Sequence, residues 1–258
     1  MSETKCKSDR STKVKIVYVS LYTYKSFPVR IFHALSRKVG IDSYAIFFKD
    51  SSANKHKPAT ETENRIFVDL ITEINPDLVA ISILSPYVVV AKKLIQRIRN
   101  ISQVPIIVGG KYPTVHHLEA LEFADFVCKG EGEQVLTELF ERFRKGLDFR
   151  NIQGLWYRDE SGEIIKQGLG MPLQNLDEIP FPALGEPQMY FIENNRLIEN
   201  DPELKGSDIW LMASRGCAYQ CSYCVNSLLL PMNKGQGKIL RLRTPDNVIQ
   251  EIEMHLRK

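Results

Sequence analysis

Three of the chain's five cysteines, Cys217, Cys221 and Cys224, lie within eight residues at the spacing C-x3-C-x2-C, in "SRGCAYQCSYC" (214–224). Thiols clustered at short intervals are donors for soft metals. A structural zinc site closes with four Cys or His ligands, and this stretch offers three; the nearest histidine in sequence is His255. Cys6 stands in a polar tail, and Cys128 ends an apolar run, where a free cysteine acts as a small hydrophobe. A dithiol redox use of "CSYC" lacks the strand-then-helix setting it needs. The donor set suits an iron–sulfur cluster in which three thiolates hold three irons and the fourth iron takes a ligand from outside the protein. Zinc remains the alternative. Gly216, just ahead of the first cysteine, lets the backbone turn in ways closed to other residues.

These cysteines need a scaffold, and the preceding residues supply one by alternation. Strand-like runs at 14–20, 43–48, 77–84, 104–110 and 124–128 alternate with helical periodicity at 28–40, 65–76, 88–100 and 132–146. Pro28 marks a helix start and Gly40 a stop, and the polar stretch 49–64 reads as a loop. "DLVAISIL" (77–84) is apolar almost throughout, as in a strand covered on both faces. The expected fold class is α/β: a flavodoxin-like (Rossmann-like) five-stranded parallel sheet over 14–147. Past Gly146 the pattern changes to a β-hairpin (155–167), a proline-rich extended linker (171–187) and a strand (208–214) leading into the cysteines. A final helix follows, with Thr244 as N-cap, Pro245 in its first turn and Val248, Ile252 and Leu256 facing inward.

Composition narrows the function. The chain has 258 residues, 43% hydrophobic and 25% charged, with a net charge of +3, ordinary values for a globular protein. No basic stripe with interleaved aromatics points to nucleic acid. The N-terminal "MSETKCKSDRSTK" has no apolar core of a signal peptide, and no run is long enough to span a bilayer, so a cytoplasmic location is expected. Residues 1–13 read as a disordered tail.

The cysteine spacing, the Ser-Arg-Gly lead and the aromatic Tyr223 before the last cysteine resemble the radical S-adenosylmethionine (SAM) superfamily. The resemblance implies that Cys217, Cys221 and Cys224 hold a 4Fe-4S cluster and that Tyr223 lies near the adenine of SAM. It further implies that the cluster cleaves SAM to give a 5′-deoxyadenosyl radical. "RLRTPDNVIQEIE" (241–253) is similar to the stretch opening the first barrel helix in one branch of that superfamily. "VGGKYPTVHHLEALEFADFVCKGEGE" (108–133) resembles the end of the cobalamin-binding domain that precedes many of these enzymes. By that resemblance the cobalamin contacts are Gly109, Gly110, Pro113, Thr114, Gly130, Glu131, Gly132 and Glu133, with Ser82 and Ser85 on the third-strand loop. "LDEIPFP" (176–182) resembles the interdomain segment of the same enzymes.

The implied organisation is a cobalamin-binding domain over 14–147, hairpin and linker over 148–206, and from 207 the first β/α unit of an incomplete partial TIM barrel. The implied activity is methylation of an unreactive carbon, with ring closure or rearrangement as the alternative, or a non-catalytic cofactor-binding module. Implied partners are a small-molecule, lipid or natural-product substrate, an electron donor such as flavodoxin or ferredoxin, and a second chain completing the barrel. Two departures stand out. No D-x-H-x-x-G motif offers an imidazole to cobalt; His33 reads as packing, and His116 and His117 as a solvated loop. The Gly-Gly-Glu segment that holds SAM's amino group is missing, so the chain reads as a fragment, split gene or truncated product with weak SAM binding.

Overall fold

The structure is a computed structural model describing residues 14–51, 57–206 and 208–257. The tail 1–13, and Cys6 with it, lie outside the described residues. The expected alternation is present as β1 (Lys15–Leu21), α1 (Phe27–Lys38), β2 (Asp42–Phe48), α2 (Glu61–Ile74), β3 (Leu78–Ser82), α3 (Val88–Arg99) and β4 (Ile106–Gly109). Two short helices, α4 (Lys111–Val115) and α5 (His117–Ala120), then lead to β5 (Phe126–Cys128) and α6 (Glu133–Lys145). The five strands pair in parallel in the order 2-1-3-4-5, the flavodoxin-like arrangement. Helices cover both faces: α2 and α3 press Phe67, Leu70, Leu94 and Ile98 onto one, α1 and α6 press Val29, Leu136, Leu139 and Phe140 onto the other. Burial on both sides explains why the strand sequences are apolar without alternation.

Four expectations are corrected. The helix foreseen over 65–76 begins at Glu61, because Thr60 Oγ1 accepts from Glu63 N (3.1 Å) while Glu63 Oε2 accepts from Thr60 N (2.8 Å). That reciprocal cap satisfies two backbone donors and moves the start four residues upstream into what read as a polar loop. The segment 148–206 is woven into the sheet. Its hairpin, β6 (Leu155–Arg158) and β7 (Ile164–Ile165), adds antiparallel to β5. A second, unforeseen hairpin, β8 (Met189–Glu193) and β9 (Arg196–Ile198), adds to the opposite edge, β8 parallel to β2. Among the described residues the sheet therefore has nine strands.

The strand expected over 208–214 is the third correction. Only β10 (Ser214–Arg215) forms, paired antiparallel with β11 (Arg241–Leu242) after an unforeseen helix α7 (Asn226–Met232). A strand needs a ladder partner for its backbone groups, and 208–213 pair with no strand among the described residues. Helix α8 (Pro245–Leu256) has the expected Thr244 cap, but Leu256 is 74% exposed. The inward position belongs instead to Glu251, which is paired with Arg243. Among the described residues no helix is long and apolar enough to cross a membrane.

His33 packs in the core as expected, and it makes stability depend on pH. It is fully buried, with Nε2 donating to Pro187 O (3.2 Å) and Nδ1 accepting from Ser43 Oγ (2.9 Å). Burial, with the nearby Arg37 charge, lowers its pKa from 6.5 to about 4. Between these values the unfolded chain binds a proton that the folded chain refuses, so stability is complete above 6.5 and falls as pH drops toward 4. The full loss is about 3 kcal/mol. Urea melts at pH 7 and pH 5 should show the wild type losing stability and His33→Asn losing less between the same two values.

Candidate functional site

At the carboxyl ends of β3, β4 and β5 the chain leaves a cavity of about 440 Å³. Ser82, Gly109, Gly110 and Gly132 form one side, Tyr18 and Ala80 contribute to its floor, and Ser214–Gly216 of the cysteine segment form the other side. An adjoining cavity of about 290 Å³ shares Gly110, Lys111, Gly130, Glu131, Gly216 and Asn226, and continues along α7. Both therefore lie between the sheet edge and the cysteine loop.

The anticipated residues occupy different positions in this arrangement. Ser82, Gly109, Gly110, Gly130, Glu131, Gly132 and Glu133 all line the larger cavity. Ser85 lies in an exposed 3-10 turn and lines neither. Pro113 and Thr114 are buried in α4. Thr114 Oγ1 donates to Gly110 O (2.8 Å) and accepts from Gly130 N (3.2 Å), tying the two glycine loops together. Gly130 admits a close approach, but the neighbour is the protein's own backbone. At φ +103° it sits where a Cβ would lie 2.8 Å from Gly170 O. The two histidines expected in a solvated loop separate: His116 is exposed and stacks on Tyr112, whereas His117 opens α5 half-buried against Trp156, its ring centroid 4.5 Å away. Neither lines either of these two cavities.

The glutamates do more than line a wall. Glu131 is bound by Arg215 (3.2 Å) and Arg241 (2.5 Å), and Glu133 by Arg215 (2.6 Å). Burial raises the Glu131 pKa, but Arg241 and Arg215 outweigh it and hold the carboxyl below its usual range. Sequence reasoning missed Arg215 and Arg241 as partners, since nothing in a charge pattern says which distant carboxylate an arginine meets.

The proline-rich segment is the second anchor of the cysteine region. Lys238 N donates to Gln174 Oε1 (2.8 Å), and Thr244 donates through both N (3.0 Å) and Oγ1 (2.7 Å) to the Asp177 carboxylate. Arg241 Nη1 donates to Leu173 O (2.7 Å).

Within the loop, Gly216 has φ +93°, and a Cβ there would lie 1.9 Å from Ile239 O, so the turn into the cysteines admits no side chain. Cys217, Cys221 and Cys224 are free thiols, partly accessible. Cys217 Sγ accepts from Tyr219 N (3.4 Å), and Cys224 N donates to Cys221 O (3.0 Å). Tyr223 is 91% exposed. Among the described residues no group of three His, Cys, Asp or Glu side chains is gathered tightly enough for a single metal ion. A cluster asks for a wider set, each thiolate on its own iron, and the three free thiols on one loop fit that donor chemistry. Cys128, on the cavity floor, is different: burial pushes its thiol up to about 12, so it is not a ready thiolate. Arg241 Nε and Gln236 Oε1 border the smaller cavity, buried without a hydrogen-bond partner among the described residues, a donor and an acceptor awaiting a polar group.

Residues 14–140 match the B12 binding domain family. The chain carries a B12-binding domain. An uncharacterized methyltransferase of Pyrococcus horikoshii is 28% identical over 192 residues, covering 72% of this chain and 38% of that protein. An anaerobic magnesium-protoporphyrin IX monomethyl ester cyclase of Rubrivivax gelatinosus is 27% identical over 199 residues, covering 71% and 32%. The chain thus spans roughly a third of the length of these curated relatives. Among solved structures, the cobalamin-dependent S-adenosylmethionine radical enzyme OxsB, with aqua-cobalamin and S-adenosylmethionine bound, superposes with a TM-score of 0.69 at 19% identity. It covers 95% of this chain and 32% of its own. The radical S-adenosylmethionine methyltransferase TsrM of Kitasatospora setae, with cobalamin and a 4Fe-4S cluster bound, gives 0.65 at 18% identity, covering 93% and 46%. The shared fold therefore extends past the B12-binding domain into the cysteine segment.

Proposed function

We propose that this chain is the cobalamin- and cluster-bearing part of a radical SAM enzyme that methylates an unreactive carbon of a small-molecule, lipid or natural-product substrate. The proposed division is a cofactor domain over 14–147, with the hairpins of 148–206 extending its sheet, and the opening of the radical domain from 207. One observation carries the reading: the 440 Å³ cavity of the B12-binding domain is walled on its far side by the residues that lead into the cysteines. Cys217, Cys221 and Cys224 would hold the cluster, and the exposed ring of Tyr223 would stack on the adenine of SAM. Ser82 and the backbone at Gly109 and Gly110 would meet the buried tail of cobalamin. Bound there, a cluster with one open iron supplies the reductive cleavage of SAM, and cobalamin supplies a methyl carrier. Gly216 and Asn226, which flank the three cysteines, line both cavities. A flavodoxin or ferredoxin would deliver the electron.

A second reading, ring closure, is favoured by the similarity to the Rubrivivax cyclase. Anaerobic reconstitution with iron, sulfide and hydroxocobalamin, then SAM and dithionite, tests both. S-adenosylhomocysteine is the expected product for methylation, and 5′-deoxyadenosine alone supports ring closure or rearrangement. A bound cluster yielding neither marks a non-catalytic module. Stoichiometric zinc with no iron or sulfide ends the proposal.

A further inference from the structure

On the β10–β11 ladder Arg215 lies directly opposite Arg241. Like charges facing each other across two strands repel, so this pair needs counter-charge, and the B12-binding domain provides it. Glu131 Oε2 accepts from Nη1 of both arginines (3.2 and 2.9 Å), its Oε1 from Arg241 Nη2 (2.5 Å), and Glu133 Oε1 from Arg215 Nη2 (2.6 Å). Two cations and two carboxylates form a balanced quartet that joins strands from one part of the chain to a loop of another. Arg215 is two residues from Cys217, and residues 130–133 are a wall of the larger cavity. The loop is also fixed from behind: a Cβ on Gly170 would lie 2.4 Å from Glu131 O, and Gly130 bridges Gly170.

We infer that Glu131 and Glu133 are positioning residues that couple filling of the cavity to the order of the cysteine loop. A ligand seated against 130–132 restrains the two carboxylates, and these restrain the arginine pair that closes the base of the loop. Removing the carboxylates leaves two facing guanidiniums uncompensated, and the short ladder opens. Linkage makes the effect reciprocal, so ordering the cysteines tightens the cavity. The inference rests on the proposed function for the identity of the ligand, but the quartet can be tested without any ligand.

Hydrogen exchange on the full chain provides the test. Without ligand, Glu131→Gln should speed amide exchange over 214–224 about tenfold while β1 and β3 are unchanged. Saturating hydroxocobalamin should slow the same amides about fivefold in the wild type, and not in Glu131→Gln/Glu133→Gln, even where that variant binds hydroxocobalamin. Arg215→Lys, which keeps the charge and loses the two-pronged contact, should loosen the loop to an intermediate degree and serves as the milder variant should the glutamine variants unfold. Unchanged loop exchange in Glu131→Gln, or ligand protection that persists in the double variant, overturns the coupling. If hydroxocobalamin does not bind the wild type, the proposed function fails while the ligand-free comparison still decides whether the quartet holds the loop.

Discussion

Replacing any one of Cys217, Cys221 or Cys224 with serine is expected to cut the iron and sulfide retained after anaerobic reconstitution about tenfold or more, whereas Cys128→Ser leaves both unchanged. The contrast follows from the environments of the four described thiols. The three loop cysteines are partly accessible and free, and Cys217 Sγ accepts the backbone N–H of Tyr219. The fourth, on the cavity floor, is buried, and burial with the nearby Glu133 keeps the proton on sulfur. A serine oxygen is a harder donor and replaces a thiolate poorly on iron. Iron and sulfide analysis of the four variants, with the spectrum of the reduced samples, checks the assignment. Iron lost with Cys128→Ser and kept with Cys221→Ser would place the cluster elsewhere.

Arg30→Ala should lower stability by about 3–5 kcal/mol, because removing one member of a buried ion pair strands the other charges. Arg30 is buried in α1 with Asp201 (Nη2 to Oδ1, 2.7 Å) and Glu203 (Nε to Oε2, 2.9 Å), and its Nη1 also donates to Ala183 O (2.8 Å). Asp201 depends on this partner. Burial pushes its carboxyl up, but the Arg30 contacts outweigh that and keep its pKa below the usual value. The expected fall in melting temperature is about 10 °C. Arg30→Met with Asp201→Asn and Glu203→Gln removes the stranded charges and should recover most of the loss. An Arg30→Ala melt within about 2 °C of wild type would show that the pairs contribute little.

The central sheet was legible because its strands are buried on both faces: Leu78 and Val79, adjacent in sequence and opposite in direction, are both at 0% exposure. Alternation with helices then left few topologies, and the 2-1-3-4-5 order followed. The second hairpin was missed despite a local signal. In "MYFIENNRLI" two asparagines, Asn194 and Asn195, separate short alternating runs, and both adopt left-handed φ (52° and 60°), the geometry of a tight two-residue hairpin turn. The gathering of Cys217, Cys221 and Cys224 on one loop was legible from their spacing. Its fixing by Glu131, Glu133, Gln174 and Asp177 was not, because those contacts join residues far apart in the chain, and their neighbours in sequence say nothing of the meeting.

The hairpins on the two flanks of the sheet bear on how this protein can be dissected. Cutting at 147, where the hydrophobic periodicity suggests a boundary, would strip β6 from β5 and β8 from β2. Two rows of amide and carbonyl groups would be laid bare, an invitation to intermolecular strand pairing. A minimal soluble cofactor-binding piece should therefore end beyond Ile198, and preferably beyond Glu203, so that the Arg30 charge keeps its counterions.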